Sequence, residues 1–206
     1  YGNGISYDLF QVNGKDIRIS SPHQAIDAGI ALIPEDRKND GLMLELSVKS
    51  NVVVCILDRL INRIGLVNSK KENDSALELI EKLGIKAATL TTKTKNLSGG
   101  NQQKVVLAKW IGKNSKVFIC HEPTRGIDIE AKSQVYQLLE EMRQSGVAII
   151  IISSELSEII GMCDKIMVMR KGRLFGPVVA NEATEEKLLA MASGLGVNDA
   201  SEKLPS

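Results

Sequence analysis

The feature that most constrains the fold of this chain is an alternation of apolar strands and amphipathic helices in its second half. Strands are predicted at Val117–Cys120, Val147–Ile152 and Lys165–Met169, and helices at Glu130–Ser145 and Leu156–Met162. Apolar strands that alternate with helices are typical of a parallel sheet covered on both faces. The sequence therefore predicts an α/β fold with a buried parallel sheet.

The first half of the chain adds a hairpin, one further strand and a helical region. The Asn13-Gly14 pair favours the tight turn of an antiparallel hairpin. A short helix is predicted at Ser21–Ala28 and a buried strand at Ile30–Ile33. A mainly helical region begins near Leu46, with the polar residues Asn62–Asp74 as an exposed excursion between helices.

Composition limits the classes of function. The 206 residues are 43% hydrophobic and 25% charged, which is ordinary for a globular protein, and the net charge of +1 predicts no nucleic-acid partner. The longest apolar runs fall far short of the about 20 residues that cross a bilayer, so any membrane role is expected to pass through a partner. The three cysteines are far apart in apolar stretches, which favours buried thiols over a disulfide.

Residues Asn96–Lys104, with the sequence NLSGGNQQK, form the first of two motifs that carry chemistry. Ser98-Gly99-Gly100 opens a helix predicted to continue from Asn101 to Ile111. The free N–H groups and the positive dipole end of a helix start can hold a phosphate, and glycines let the backbone come close to it. A lone Ser-Gly-Gly would more simply be a helix start, but the residues on both sides favour the functional interpretation.

Residues Glu122–Asp128, with the sequence EPTRGID, form the second motif and directly follow a predicted strand that ends in Cys120-His121. Polar side chains at the carboxyl end of a buried strand are well placed for a site. Asp128 also fits the N-cap of the helix that follows, and the two roles can coexist.

Together the two motifs resemble those of ATP-binding-cassette (ABC) proteins, most closely the second, C-terminal cassette of ribose/xylose/galactose-type sugar importers. Glu35-Asp36-Arg37-Lys38 and Ser153-Ser154-Glu155 are typical of those second cassettes at the corresponding places. The resemblance covers about residues 10–194. It implies an ABC-type P-loop NTPase cassette with a parallel-sheet core, a helical subdomain and an N-terminal antiparallel hairpin.

The resemblance also implies an order of domains. Residues 1–41 would be the remnant of the N-terminal part of the ATP-binding core, residues 42–96 the helical subdomain, residues 97–193 the signature helix with the α/β core, and residues 194–206 a flexible tail. The phosphate-binding loop G-x-x-x-x-G-K-[S/T] of the family does not occur in the sequence. The cassette is therefore expected to be N-terminally truncated.

Roles for individual residues follow from the resemblance. Glu122 matches the catalytic glutamate that polarises the attacking water. Glu35 stands where a glutamine contacts Mg²⁺ and that water, and Ser154 where a histidine contacts the γ-phosphate. His121 stands where an aspartate helps to hold Mg²⁺, and imidazole is a poor substitute because Mg²⁺ prefers oxygen ligands. The residues expected to bind the cofactor ATP, across an interface with a second cassette, are Ser98, Gly99, Gly100, Gln102 and Asp128.

Three functions are compatible with the sequence. The first is an ATP-hydrolysing subunit that drives import of a ribose-like sugar. This chain alone is expected to be weak or inactive, because His121 replaces the aspartate and the phosphate loop is absent. The second is a non-hydrolytic domain that donates its signature to another cassette. The third is a free-standing cassette that acts on nucleic acid or ribosomes, against which the near-neutral charge and Glu35-Asp36-Arg37-Lys38 argue.

The first two functions imply the same partners and location. Expected partners are membrane-spanning permease subunits, a second ATP-binding cassette and, indirectly, a sugar-binding protein outside the membrane. The expected location is the cytoplasmic face of the cell membrane, and the expected cofactors are ATP and Mg²⁺.

Overall fold

The computed structural model describes residues 11–12 and 14–194, and the chain divides into two compact units, residues 1–152 and residues 153–206. Both chemistry-bearing motifs lie in the first unit. Its elements are β1 (Gln11–Val12), β2 (Lys15–Asp16), α1 (Pro22–Asp27), β3 (Ile30–Ile33), a π-helical turn (Arg37–Gly41), α2 (Val48–Val53), a 3₁₀ turn (Val54–Ile56), α3 (Leu57–Leu60), α4 (Ser69–Lys82), a 3₁₀ turn (Thr94–Asn96), α5 (Gly99–Gly112), β4 (Val117–His121), α6 (Ile129–Gln144) and β5 (Ala148–Ile152).

A three-stranded parallel sheet in the order β3-β4-β5 forms the centre of this unit. Ile30 pairs with Val117 and Ile33 with Cys120, while His121 pairs with Ile152. The carboxyl ends of β3 and β4 therefore meet at one edge, which is the edge where α/β sheets bind ligands. The predicted parallel α/β fold is confirmed.

Helices α2, α4 and α5 pack together beside the sheet. The apolar side chains at their contacts are fully buried: Val48, Val52, Val105, Val106 and Leu107. Asn51 lies among them and hydrogen-bonds both backbone groups of Met43, at 2.9 Å each, and the hydroxyl of Thr94 at 3.0 Å. These contacts fix α5, the helix that begins with the signature.

One sequence prediction for the first unit needs correction. Residues Asn62–Asp74 are almost all exposed, as predicted, but helix α4 begins inside this stretch at Ser69, where the side chain of Asn68 caps it. The polar residues are the outward face and first turns of that helix rather than a separate loop. The loop after β3 contains one π-helical turn, which Asp36 caps through the N–H groups of Lys38 and Asn39.

The second unit contains α7 (Leu156–Met162), β6 (Lys165–Arg170), β7 (Arg173–Val179), a 3₁₀ turn (Ala180–Glu182) and α8 (Glu185–Ser193). Strand β6 does not continue the parallel sheet. It pairs antiparallel with β7 because Lys171 and Gly172, with φ of 49° and 78°, reverse the chain.

The predicted domain boundaries at residues 41, 96 and 193 stay a prediction. The hairpin turn residue Asn13 and most of the predicted tail lie outside the described residues. Within the described residues, no helix is long and apolar enough to span a membrane.

Candidate functional site

The carboxyl edge of the sheet brings Glu35 and His121 together. Glu35 follows β3 by two residues and His121 ends β4, so the parallel register places them side by side. Nε2 of His121 lies 3.7 Å from Oε2 of Glu35, and both side chains are about 40% exposed. The other carboxylate oxygen of Glu35 forms an ion pair with Arg125. Two predicted site residues thus meet, with a cation already beside them.

Glu122 begins a sharp turn at this edge. Its N–H donates to the carbonyl of Ile152 at 2.8 Å, and its own carbonyl accepts from the N–H of Arg125 at 3.1 Å. Its φ of 48° is uncommon for a residue with a side chain, and such conformations cluster at functional sites. The turn directs the EPTRGID motif away from the strand toward α6.

The donor chemistry at this edge fits Mg²⁺ poorly. The carboxylate of Glu35 is paired with the guanidinium of Arg125, and His121 offers a nitrogen where the ion prefers oxygen. Among the described residues, no group of three or more His, Cys, Asp or Glu side chains could hold a metal ion. The assignment of His121 and Glu35 to a degenerate magnesium position stays a prediction.

Ser98 caps the signature helix α5. Its Oγ accepts hydrogen bonds from the backbone N–H of Asn101 at 3.4 Å and from the Asn101 amide at 2.9 Å. Oδ1 of Asn101 in turn accepts from the backbone N–H of Lys86 at 2.7 Å. A hydroxyl has two acceptor lone pairs and one donor, and within the described part of the chain the proton of Ser98 has no acceptor, so it can donate to water or to a ligand.

A pocket of about 210 Å³ opens at the start of α5. It brings the predicted residues Ser98, Gly100 and Asp128 together, and its complete lining is Lys86, Ser98, Gly100, Asn101, Lys104, Asp128, Glu130, Ala131 and Gln134. Asp128 caps α6 by accepting from the N–H of Ala131 at 2.8 Å. The pocket is therefore bounded by the N-termini of two helices, whose dipoles favour an anion.

Two lysines add positive charge to this pocket. Lys104 is 7% exposed and donates to the carbonyl of Gly84 at 3.0 Å. Burial, assisted by the nearby charge of Lys86, lowers the pKa of Lys104. The carboxylates of Asp128 and Glu130 line the same pocket, so the two positive charges of its lining are matched by two negative charges.

Gly99, Gly100 and Gln102 have packing roles of their own. A Cβ on Gly100 would collide with Cβ of Ala131, and one on Gly99 would lie 2.8 Å from the guanidinium of Arg37. Gln102 is 5% exposed and donates to the carbonyl of Thr94 at 3.3 Å. The structure thus places the two glycines at helix and loop contacts and Gln102 in the interior, and their binding roles stay predictions.

Ser154 lies in the second unit, between β5 and α7. The Oγ of its neighbour Ser153 accepts from the N–H of Glu155 at 3.1 Å, which shapes the local turn. The predicted role of Ser154 at the γ-phosphate stays a prediction.

Sequence reasoning missed four residues that shape the first unit's site: Arg37, Lys86, Lys104 and Arg125. Arg37, Lys104 and Arg125 stood inside motifs given above, and a cation shortly after a buried strand was the available signal for the two arginines. Lys86 offered no signal, because it comes from a segment that only the tertiary structure brings to the signature.

The family model for ABC transporters matches residues 7–125 of this chain. The chain belongs to the ABC transporter family. The resemblance inferred from the two motifs is thereby confirmed, and the family binds and hydrolyses ATP.

Curated relatives are import subunits. Ribose import ATP-binding protein RbsA of Oceanobacillus iheyensis is 45% identical over 183 residues, which cover 89% of this chain and 37% of that protein. The protein of the same name from Lactococcus lactis is 46% identical over 184 residues, with the same two coverages. The chain therefore spans a little over a third of the length of these relatives.

Solved structures confirm the cassette fold. The structure of cbiO1 from Clostridium perfringens, part of the ABC transporter complex cbiONQ, matches with a TM-score of 0.69 at 23% identity, over 91% of this chain and 72% of that one. A dimeric post-hydrolysis structure of an ATP-binding cassette bound to ADP and Pi matches with a TM-score of 0.66 at 17% identity, over 82% and 72%. At these identities the likeness establishes the fold alone.

Proposed function

We propose that this chain is part of the ATP-binding subunit of an importer for a ribose-like sugar, and that its signature acts on ATP held by a second cassette. The names of the curated relatives support the class of cargo. The proposed partners are membrane-spanning permease subunits, a second cassette and, indirectly, a sugar-binding protein. The proposed location is the cytoplasmic face of the membrane.

The observation that carries the signature's role is the pocket at the start of α5. Ser98 and Gly100 of one motif and Asp128 of the other line the same 210 Å³ space, with Lys86 and Lys104 beside them. Two helix N-termini, the hydroxyl of Ser98 and the ammonium groups of Lys86 and Lys104 offer hydrogen-bond donors to a phosphate, and the carboxylates of Asp128 and Glu130 border the same space.

The surroundings of the pocket support action across an interface. Ile129 follows Asp128 and leaves 87% of its surface exposed, although it is a large apolar residue. Covering this side chain in an interface would remove its apolar surface from water. A second cassette that presents its nucleotide here would cover Ile129 at the same time.

The experiment mixes this chain with a cassette that carries its own phosphate loop and measures the ATPase rate of that partner. The wild-type chain is expected to stimulate the rate. Ser98→Arg should lower the stimulated ATPase rate by about 10²-fold, which is the loss typical of removing one preorganised hydrogen-bond donor. The control is Ser21→Arg, because Ser21 also caps a helix and accepts from the N–H of the third residue on, but lies at α1. Equal stimulation by the wild type and Ser98→Arg would contradict the proposal.

Hydrolysis of the chain's own ATP is the second candidate function. The position of Glu122 at the carboxyl edge of β4 favours it, since this is where a water-activating carboxylate is expected. Calorimetry separates the two functions: tight binding of Mg·ATP by the isolated chain supports hydrolysis, and absence of binding supports a donated signature. Co-purification with nucleic acid would favour the third, free-standing type of cassette.

A further inference from the structure

The π-helical turn Arg37–Gly41 connects the two motifs, although it belongs to neither. Nη1 of Arg37 donates to the carbonyl of Arg125 at 2.7 Å, and Nη2 donates to the carbonyl of Gly126 at 3.1 Å. A guanidinium that bonds two successive carbonyls with its planar fork fixes both the position and the direction of the backbone it holds.

The same guanidinium packs against the start of α5. A Cβ on Gly99 would lie 2.8 Å from Nη2 of Arg37, 3.1 Å from the carbonyl oxygen of Gly126 and 3.3 Å from Cγ2 of Ile127. Glycine at position 99 therefore leaves the space in which Arg37 and the EPTRGID loop meet the signature. The requirement for glycine here comes from this three-way contact.

The turn that carries Arg37 is itself fixed at both ends. Asp36 accepts from the N–H groups of Lys38 and Asn39 at 3.0 and 3.1 Å. At the other end the carbonyl of Gly41 accepts from the half-buried ammonium of Lys109 on α5. Hydrogen bonds within the first unit thus hold both ends of the π-helical turn.

We propose that Arg37 is a positioning residue, which holds the loop at Arg125–Gly126 against the start of α5 so that Ser98 and Asp128 keep a fixed separation. Glu35, two residues before Arg37, also holds this loop through its ion pair with Arg125. Partial burial lowers the pKa of Arg37. The consequence for activity rests on the proposed function, whereas the positioning itself is a property of the chain.

The test compares Arg37→Gln with Arg59→Gln in the full chain. Arg59 is a matched control because it also donates to two successive carbonyls, those of Gly112 and Lys113, but at the far end of α5. Arg37→Lys is the third variant, since lysine keeps the charge and lacks the planar fork. If Arg37→Gln does not fold by circular dichroism, Arg37→Lys takes its place.

Hydrogen–deuterium exchange of the chain without partner is the first measurement. Both Arg37 variants should exchange about tenfold faster in residues 124–131 and at the start of α5, because two hydrogen bonds that order the loop are lost. Arg59→Gln should change exchange only near the end of α5. Unchanged exchange in residues 124–131, a uniform rise throughout the unit, or full restoration by lysine would each overturn the inference.

Stimulation of the partner cassette is the second measurement. The maximal stimulated rate should fall about tenfold in both Arg37 variants and stay near the wild-type value in Arg59→Gln, because a misplaced group costs rate even when it is present. If the wild-type chain stimulates nothing while exchange responds as expected, the proposed function fails and the positioning role stands. An unchanged stimulated rate in the Arg37 variants, beside a stimulating wild type, would overturn the role in activity.

Discussion

Replacing Gly100 by alanine tests whether packing or ligand approach requires the second glycine of the signature. The added Cβ would collide with Cβ of Ala131, and neither backbone can withdraw without shifting α5 against α6. Overpacking of this kind destabilises a protein by about 1–3 kcal/mol. Alanine is more favourable than glycine in a helix by up to about 1 kcal/mol, which offsets part of this loss of stability. The net expectation is a loss of about 1–2 kcal/mol in the free energy of unfolding.

Urea unfolding followed by the fluorescence of Trp110 is the assay, because this is the single tryptophan of the chain and it lies on α5. The control is Gly112→Ala on the same helix. There the nearest atom to a new Cβ is Cδ1 of Leu79 at 2.9 Å, the end of a flexible side chain that can move away. We expect Gly112→Ala to change the free energy of unfolding by less than about 0.5 kcal/mol.

The double variant Gly100→Ala/Ala131→Gly separates the two explanations. Removing Cβ of Ala131 relieves the collision, so the two substitutions should couple favourably by about 1 kcal/mol. If the double variant recovers stability but does not stimulate a partner cassette, the glycine also serves ligand approach. A Gly100→Ala chain as stable as the wild type would refute the packing argument.

Two further predictions concern a buried amide and the thiols. Asn51→Leu should lower the free energy of unfolding by on the order of 3 kcal/mol, because it leaves both backbone groups of Met43 without their partner. The control is Asn62→Leu at an exposed position, which should cost under about 1 kcal/mol in the same urea titration. Burial raises the pKa of Cys55 and of Cys163, so their alkylation should be slow at pH 8 and should accelerate as the pH rises above 9. The fully buried Cys120 should react only on unfolding. Rapid labelling of all three thiols at pH 8, read by mass spectrometry, would contradict this prediction.

The local structure of the site was decided by the sequence. Ser98 and Asp128 are good N-cap residues, and both cap the helices that the sequence predicts. The helical region between β3 and β4 is long enough for the crossover connection that parallel strands need, so their parallel pairing was expected. The meeting of Glu35 and His121 was therefore predictable from strand ends.

The contacts that give the site its shape were decided only by the tertiary structure. Arg37 lies 88 residues from the carbonyl that it holds, and Lys86 reaches the signature from a segment 15 residues away from Asn101. No local periodicity specifies such contacts, because they depend on where whole helices pack and on which way each side chain leaves its backbone. Gly100 shows the difference most clearly: the sequence predicted a glycine kept open for a phosphate, and the packing of α5 on α6 explains the same residue by the Cβ of Ala131.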